Sequence, residues 1–384
     1  MSNKSLSELM KEWRQYLHAH PETAFEEENT SKYVTDILTD LGLEVRKGIG
    51  KTGVVAVLKA GDGKKLIGLR ADMDAINLTE TTNLPYRSKH DGKMHACGHD
   101  GHTATLLGAA KLLSQRKNFN GTVVFVFQPA EEPGKGAQAM IDDGLFQRFP
   151  MDEIYGLHCM PALPAGTIHT RAGPFFASED NFVIRIKGIG GHASAPHNGV
   201  DPFISAAQII MALQTIVSRN LNPLASAVIS CTELHTDGAR NAIPTIVTIK
   251  GDTRSYMPEV QQLIEKRMRS VCENISQANG AECQFEYTHE FAPTVNWECC
   301  VNAAEEAARA VVGEKNVNAN AEPIMGSEDF GLFTQKIPGC LIFLGSAKKD
   351  NIPLHNSLFD YNDDILETGA EFFAELIKNR LPKS

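Results

Sequence analysis

The 384-residue sequence has no run approaching the roughly 20 consecutive apolar residues that would cross a bilayer, so no membrane span is expected. It has no excess of positive charge. With 37 basic against 47 acidic residues and a formal net charge of −10, it lacks the electrostatic footprint of a nucleic-acid or anionic-membrane binder at whole-chain level. It lacks a regular cysteine framework: cysteines 97, 159, 231, 272, 283, 299, 300 and 340 follow no pattern, and a chain this long builds its core without disulfides. Most are expected to be reduced and buried, and the polar, helix-patterned first residues point to a cytoplasmic protein. There is no internal repeat, low-complexity run or Pro/Ser-rich linker. Several motifs are also missing. No G-x-S-x-G exists, which removes a serine-hydrolase elbow. Gly48-Ile49-Gly50-Lys51-Thr52 fails as a phosphate loop because Val45 stands where the first glycine is required. Gly188, Gly190 and Ala193 fit G-x-G-x-x-A, but Pro196 blocks the helix that must follow and no acidic residue comes about 20 positions on, so no dinucleotide site is expected.

What is present is the composition of a soluble globular protein, 42% hydrophobic and 22% charged, at a length that suggests two or three domains against a prior of roughly 150 residues each. Helical spacing of Leu6, Leu9, Trp13 and Leu17, then of Tyr33, Ile37 and Leu41, predicts two opening helices broken at His20-Pro21-Glu22. Short β-rich runs then alternate with helices: strands at 54–58 and 66–69, helix 103–114, strand 123–127, helix 137–142, strand 154–158. That alternation predicts an α/β domain with a mostly parallel sheet. From Asn181 the order becomes strand 182–187, helix 202–218, strands 227–233 and 245–252, helix 258–277, strand 281–287. This β-α-β-β-α-β order is the ferredoxin-like pattern. Helix 301–312, strand 341–344 and a last helix from about 363 to 379 resume the first rhythm. The expected organisation is therefore one α/β domain from 1–180 plus 293–384, interrupted by an inserted α+β domain at 181–292.

Six stretches carry candidate chemistry. Cys97-Gly98-His99 offers a thiolate and an imidazole that can face one cation, or equally a buried cysteine beside a hydrogen-bonded histidine. His102, just inside the following helix, is expected to cap or support rather than to ligate. Gln128-Pro129-Ala130-Glu131-Glu132-Pro133 places adjacent carboxylates at the carboxyl end of an apolar strand, where open α/β sheets put ligand sites; a solvated acidic turn is the alternative. His158 ends another apolar strand, and His355 lies in a loop after the strand ending at Leu344. Together Cys97, His99, Glu132, His158 and His355 form a mixed sulfur, nitrogen and oxygen set suited to one or two divalent metals. In the insert, the glycine-rich stretch 188–196 presents His192. Arg240-Asn241-Ala242-Ile243-Pro244 and Gly251-Asp252-Thr253-Arg254 supply groups suited to carboxylate recognition, or are surface residues that bind nothing.

The order C-G-H-D-G-H (97–102), Q-P-A-E-E (128–132), G-L-H (156–158), G-G-H-A-S-A-P (190–196), N-A-I-P (241–244), G-D-T-R (251–254) and L-H-N (354–356) resembles the hippurate hydrolase and N-acyl-L-amino-acid amidohydrolase branch of the aminoacylase/carboxypeptidase metallohydrolase family. The resemblance runs nearly end to end, including His18-Ala19-His20-Pro21-Glu22 and Gly326-Ser327-Glu328-Asp329-Phe330. It implies a zinc-peptidase-like α/β domain with an inserted lid or dimerisation domain. It further implies two divalent ions (zinc, or manganese, cobalt or nickel) on Cys97, His99, Glu132, His158 and His355, with Glu131 as general base. His192 would polarise the scissile carbonyl, and Asn241 and Arg254 would grip the substrate carboxylate. The related dipeptidases carry an early His-x-Asp metal motif; here Arg70-Ala71-Asp72 stands instead, which leaves Asp72 a supporting residue.

The implied reaction is hydrolysis of the amide of an N-acylated amino acid. Glu131 would take a proton from water made acidic by the metals and return it to the departing amine. The substrate would sit between the domains, whose closure would assemble the site, and a homodimer or higher homo-oligomer would form through the insert. Whether His192 acts in its own chain or across that dimer stays open in the sequence. The competing readings are a dipeptidase or carboxypeptidase on the same scaffold, and a metal- or carboxylate-binding module without turnover.

Overall fold

The structure is a computed structural model that describes residues 4–383. Its internal contacts divide the chain into two compact units, Met1–Phe175 with Val295–Pro323 and Asp329–Ser384, and Phe176–Thr294 with Ile324–Glu328.

The first unit is built on an eight-stranded sheet, ordered from edge to edge Glu44–Ile49, Gly53–Ala60, Gly121–Gln128, Leu66–Asp72, Glu153–Met160, Gly339–Gly345, Ile168–His169, Val317–Asn318. Its centre is parallel, from Gly121–Gln128 through to Gly339–Gly345. The hairpin of Glu44–Ile49 and Gly53–Ala60 is added antiparallel. Parallel strands covered on both faces read as unbroken apolar runs. Thr122-Val123-Val124-Phe125-Val126-Phe127 is such a run, and Val123 to Phe127 are all buried. The helix His99–Arg116 lies across the sheet and packs against Leu366–Arg380 and Leu6–Ala19. Nearly all of it is buried, so it has no polar stripe. Gly101 lets it sit this deep, because a Cβ there would lie 2.2 Å from a ring carbon of Tyr361.

All central strands deliver their carboxyl ends to one edge of the sheet. Asp72 is in register with Gln128, and Phe343 with His158. A buried network ties that edge together. Arg70 donates through Nε to Gln128 Oε1 (2.8 Å) and through Nη1 to Asp72 Oδ2 (2.8 Å), while Asp329 accepts from Gln128 Nε2 (2.7 Å) and the Ala137 amide (2.9 Å).

The second unit is a four-stranded antiparallel sheet, ordered Ala227–Thr236, Ile246–Ser255, Glu179–Lys187, Glu282–Phe291, with helices Pro202–Thr215 and Pro258–Ala278 on one face. Phe182, Ile184, Ile186, Val247 and Ile249 alternate inward beneath the helices, while Arg185, Lys187 and Lys250 are exposed. This is the ferredoxin-like arrangement expected from the element order.

Local differences from the sequence reading have physical causes. The helix expected from Thr103 begins at His99, its first turn made of the polar residues of the site. The helix expected to Ser218 ends at Thr215 and continues as a π-helical turn, Ile216–Asn220. Strand Glu44–Ile49 escaped the pattern because only Ile49 in it is buried. All eight cysteines are free thiols, most of them buried as expected. Among the described residues no helix is long and apolar enough to cross a membrane.

Candidate metal centre and active site

The carboxyl edge of the first unit's sheet gathers six side chains from four segments. The potential ligand atoms of Cys97, His99 and His158 lie within 4.8 Å of one another, and so do those of Cys97, Glu132 and His355, and of His99, Glu131 and Glu132. The trios overlap, so the cluster is continuous. Cys97 Sγ is 3.6 Å from His158 Nε2. Glu132 reaches both ways, with Oε1 3.9 Å from His99 Nε2 and Oε2 3.5 Å from His355 Nε2. Glu131 Oε2 is 3.8 Å from His99 Nε2.

Backbone carbonyls only accept and backbone amides only donate, so the hydrogen bonds fix which ring nitrogen carries each proton. His99 donates through Nδ1 to the Asp74 carbonyl (2.8 Å), and His158 through Nδ1 to the Cys159 carbonyl (2.7 Å). Both therefore turn Nε2 into the cluster. His99 Nε2 and Glu132 Oε1 are buried without a hydrogen-bond partner, a costly state that a cation between them would relieve. His102 is different. Its Nε2 accepts the Cys159 amide (2.8 Å) and its Nδ1 faces Asp72 (2.7 Å), so both nitrogens are used and it supports, as expected of it.

The electrostatics also call for positive charge. Burial alone would depress His99, but Asp72, Asp74 and Glu132 outweigh it and hold the ring up to about 10. Burial, then Glu132 and Glu131, push the Cys97 thiol well above its ordinary range, so a thiolate forms there only beside a cation. Burial and the neighbouring His102 hold His158 neutral, its lone pair available. Soft thiolate, imidazole and carboxylate donors fit a pair of divalent metals of the zinc type.

Two acidic residues that no motif marks build this geometry. Asp74 accepts the amides of Glu131 (Oδ1, 2.9 Å) and Glu132 (Oδ2, 3.1 Å) while its own carbonyl orients His99. Glu27 accepts the amide of Ala130 (2.9 Å). The one available signal for Asp74 is that it lies two residues past the end of strand Leu66–Asp72, whose first four residues are an apolar run.

In the second unit, Gly191–His192 pairs with Ala242–Ile243, and the Ala193 amide donates to the Asn241 carbonyl (3.0 Å), which brings His192 and Asn241 together. His192 is exposed, and its Nδ1 accepts the Ser194 amide (3.2 Å), which leaves the proton on Nε2, ready to donate. Arg254 is elsewhere. It pairs with Asp252 (2.7 Å) and Glu179 (2.9 Å) and donates to Ser327 Oγ (2.6 Å) at the far end of strand Ile246–Ser255. Eight residues of strand, roughly 26 Å, separate it from the Asn241 end. One chain does not bring Asn241 and Arg254 to a common small ligand.

The sequence is 45% identical to the hippurate hydrolase of Campylobacter jejuni subsp. jejuni serotype O:2 over 94% of each chain. It is 40% identical to an N-acetylcysteine deacetylase of Bacillus subtilis (strain 168) over 98% of each. Among solved structures, a Bacillus subtilis protein described as a dinuclear metal binding peptidase from the M20 family superposes with a TM-score of 0.86 at 36% identity, covering 98% of both chains. The profile of peptidase family M20/M25/M40 matches residues 68–379, a span that holds all six clustered side chains and the whole second unit, and the chain belongs to that family.

Proposed function

We propose that the protein hydrolyses the amide bond of N-acylated amino acids, releasing a carboxylate and a free amino acid. The observation that carries the reading is the cluster in which a second carboxylate, the buried Glu131, stands beside an otherwise complete set of ligands. A pure metal binder has no need of it. The similarity to a hippurate hydrolase and to a deacetylase supports acylated amino acids as the substrate class.

Cys97, His99, Glu132, His158 and His355 would hold two divalent ions. When bound, these supply Lewis acidity that polarises the amide carbonyl and makes water acidic near neutral pH. Glu131 takes the proton of the attacking water and returns it to the departing amine. His192, with Nε2–H free to donate, stabilises the oxygen on which charge develops. Asn241 steadies the same end of the substrate. Arg254 is the cation for the substrate carboxylate, and it must exchange Glu179 or Asp252 for that partner.

We infer a homodimer through the second unit, in which His192 and Asn241 of one copy serve the metal site of the other. Strand Ala227–Thr236 is a ten-residue sheet edge, the kind of edge that pairs with another chain. Helix Pro202–Thr215 lies beside it, Gln214 donating to the Ile229 carbonyl, and Ile204 (55%) and Met211 (72%) stand exposed on that helix.

The test is amine release from N-acetyl and N-benzoyl amino acids and from the matching free dipeptides, before and after chelation and metal add-back. Release from the acylated set that disappears with chelation and returns with metal is the expected result. Release from dipeptides alone would assign a dipeptidase, and bound metal with silence across both sets would sink the reading.

A further inference from the structure

The turn Pro129–Glu132, which carries both Glu131 and Glu132, is held in a shape it would not keep by itself. Ala130 has φ +50°, in the left-handed region that an L-residue with a Cβ adopts only at a cost. The turn also folds back on itself. The Gly136 amide donates to the Ala130 carbonyl (2.9 Å), and a Cβ on Gly136 would lie 1.6 Å from the Pro129 carbonyl oxygen. Strained backbone persists where its surroundings over-determine it. Here the surroundings are carboxylates: three consecutive amides, of Ala130, Glu131 and Glu132, each donate to one. Asp74 takes the last two. Glu27 takes the first, which is the amide of the strained residue.

Glu27 is fully buried at the start of helix Glu28–Asp40. Buried glutamates are normally paired with a cation, yet among the described residues no lysine, arginine or histidine pairs with it. Its Oε2 accepts the Thr52 hydroxyl (2.5 Å), and the neighbouring residues of Thr52 begin the strand that pairs with Gly121–Gln128, Val54 against Phe127. Glu27 is thus pinned to the sheet that launches the turn. The preceding segment is anchored to the site as well, since the Ala75 amide donates to the Glu22 carbonyl (2.8 Å) beside Asp74.

We propose that Glu27 is a positioning residue for catalysis, its carboxyl holding the Ala130 amide so that the turn aims Glu131 at the attacking water and Glu132 at the metals. The inference rests on the reading of Glu131 as the base. A misplacement of the reacting group by about 1 Å can cost on the order of a hundredfold, so a lost anchor should show in kcat rather than in substrate binding.

The test compares Glu27→Ala, Glu27→Gln and Thr52→Val for kcat, KM, bound metal per chain and Tm, with Glu131→Gln alongside. Glu27→Ala is expected to lower kcat about tenfold or more with KM within about twofold. Glu27→Gln keeps an oxygen that can accept from Ala130, and is expected to stay within about threefold of wild type. Thr52→Val, which only loosens the carboxyl, should lose kcat in the same direction without loss of Tm, and it decides the matter should Glu27→Ala not fold. Wild-type kcat in Glu27→Ala or, where that variant does not fold, in Thr52→Val overturns the proposal, and so does a Glu27→Gln variant as damaged as Glu27→Ala. Turnover surviving in Glu131→Gln would fail the base assignment itself; an inactive Glu131→Gln beside a fully active Glu27→Ala fails the positioning alone.

Discussion

Asp74 does three things for the site with one residue: its carbonyl sets the tautomer of His99, and its two carboxylate oxygens fix the amides of Glu131 and Glu132. Because the backbone of Glu131 is held there, its side chain can be changed without moving the turn. Glu131→Gln is therefore expected to keep Tm and bound metal while kcat falls about 10²- to 10⁴-fold, the usual worth of a positioned general base. Metal analysis and steady-state kinetics on the same preparation check it, and turnover within a few-fold of wild type would put the base elsewhere. Part of this cluster was readable in the sequence because Glu131, Glu132 and His158 come at the ends of apolar strands, where periodicity stops and a lone His or a Glu pair stands out, and because Cys97 and His99 put a thiol and an imidazole two residues apart. Glu27 and Asp74 were not readable for the converse reason. Their roles are hydrogen bonds to backbone far away in sequence, and no spacing rule links Glu27 to Ala130.

At the scale of elements, the last helix is fastened to the sheet by one acidic residue. Glu153, at the start of strand Glu153–Met160, accepts from Tyr155 OH (2.7 Å), Lys65 Nζ (2.9 Å) and Arg380 Nε (2.9 Å), the last from the end of helix Leu366–Arg380. Burial would raise this carboxyl, but Arg380, Lys65 and Tyr155 outweigh it and bring it from 4.5 to about 2. The folded value lies below the unfolded one. The stabilisation is therefore complete above about pH 4.5 and is lost as pH falls towards 2. Arg380 and Lys65 are partly exposed, so solvent screening leaves roughly 2 kcal/mol of it. Glu153→Gln should lower Tm most at pH 6–7, with the gap to wild type closing as pH drops below 4.5; a gap that does not change with pH would refute the ionic origin. The βαββαβ order of the second unit was legible because each strand has one apolar and one polar face. The outlying strands Glu44–Ile49, Ile168–His169 and Val317–Asn318 were not, since they are too short or too exposed to carry a period.

For the whole molecule the decisive length is that of strand Ile246–Ser255. His192 and Asn241 stand at one end and Arg254 at the other, roughly 26 Å away. An N-acyl amino acid is no longer than about three extended residues, roughly 10 Å. One copy of the second unit therefore cannot offer both ends to one substrate, whereas two copies related by a two-fold axis can offer one end each. With the proposed roles of His192, Asn241 and Arg254 this favours the inferred dimer, which complementation tests. Glu131→Gln and His192→Ala are each expected to be inactive alone. In a mixed dimer one of the two sites would take Glu131 from the His192→Ala chain and His192 from the Glu131→Gln chain. Statistical mixing of equal amounts would then restore about a quarter of wild-type activity. Recovery should rise with the fraction of mixed dimer measured by two distinguishable tags. If His192 serves its own chain, every site in the mixture lacks one group, and tagged mixed dimers that stay inactive would defeat the shared site.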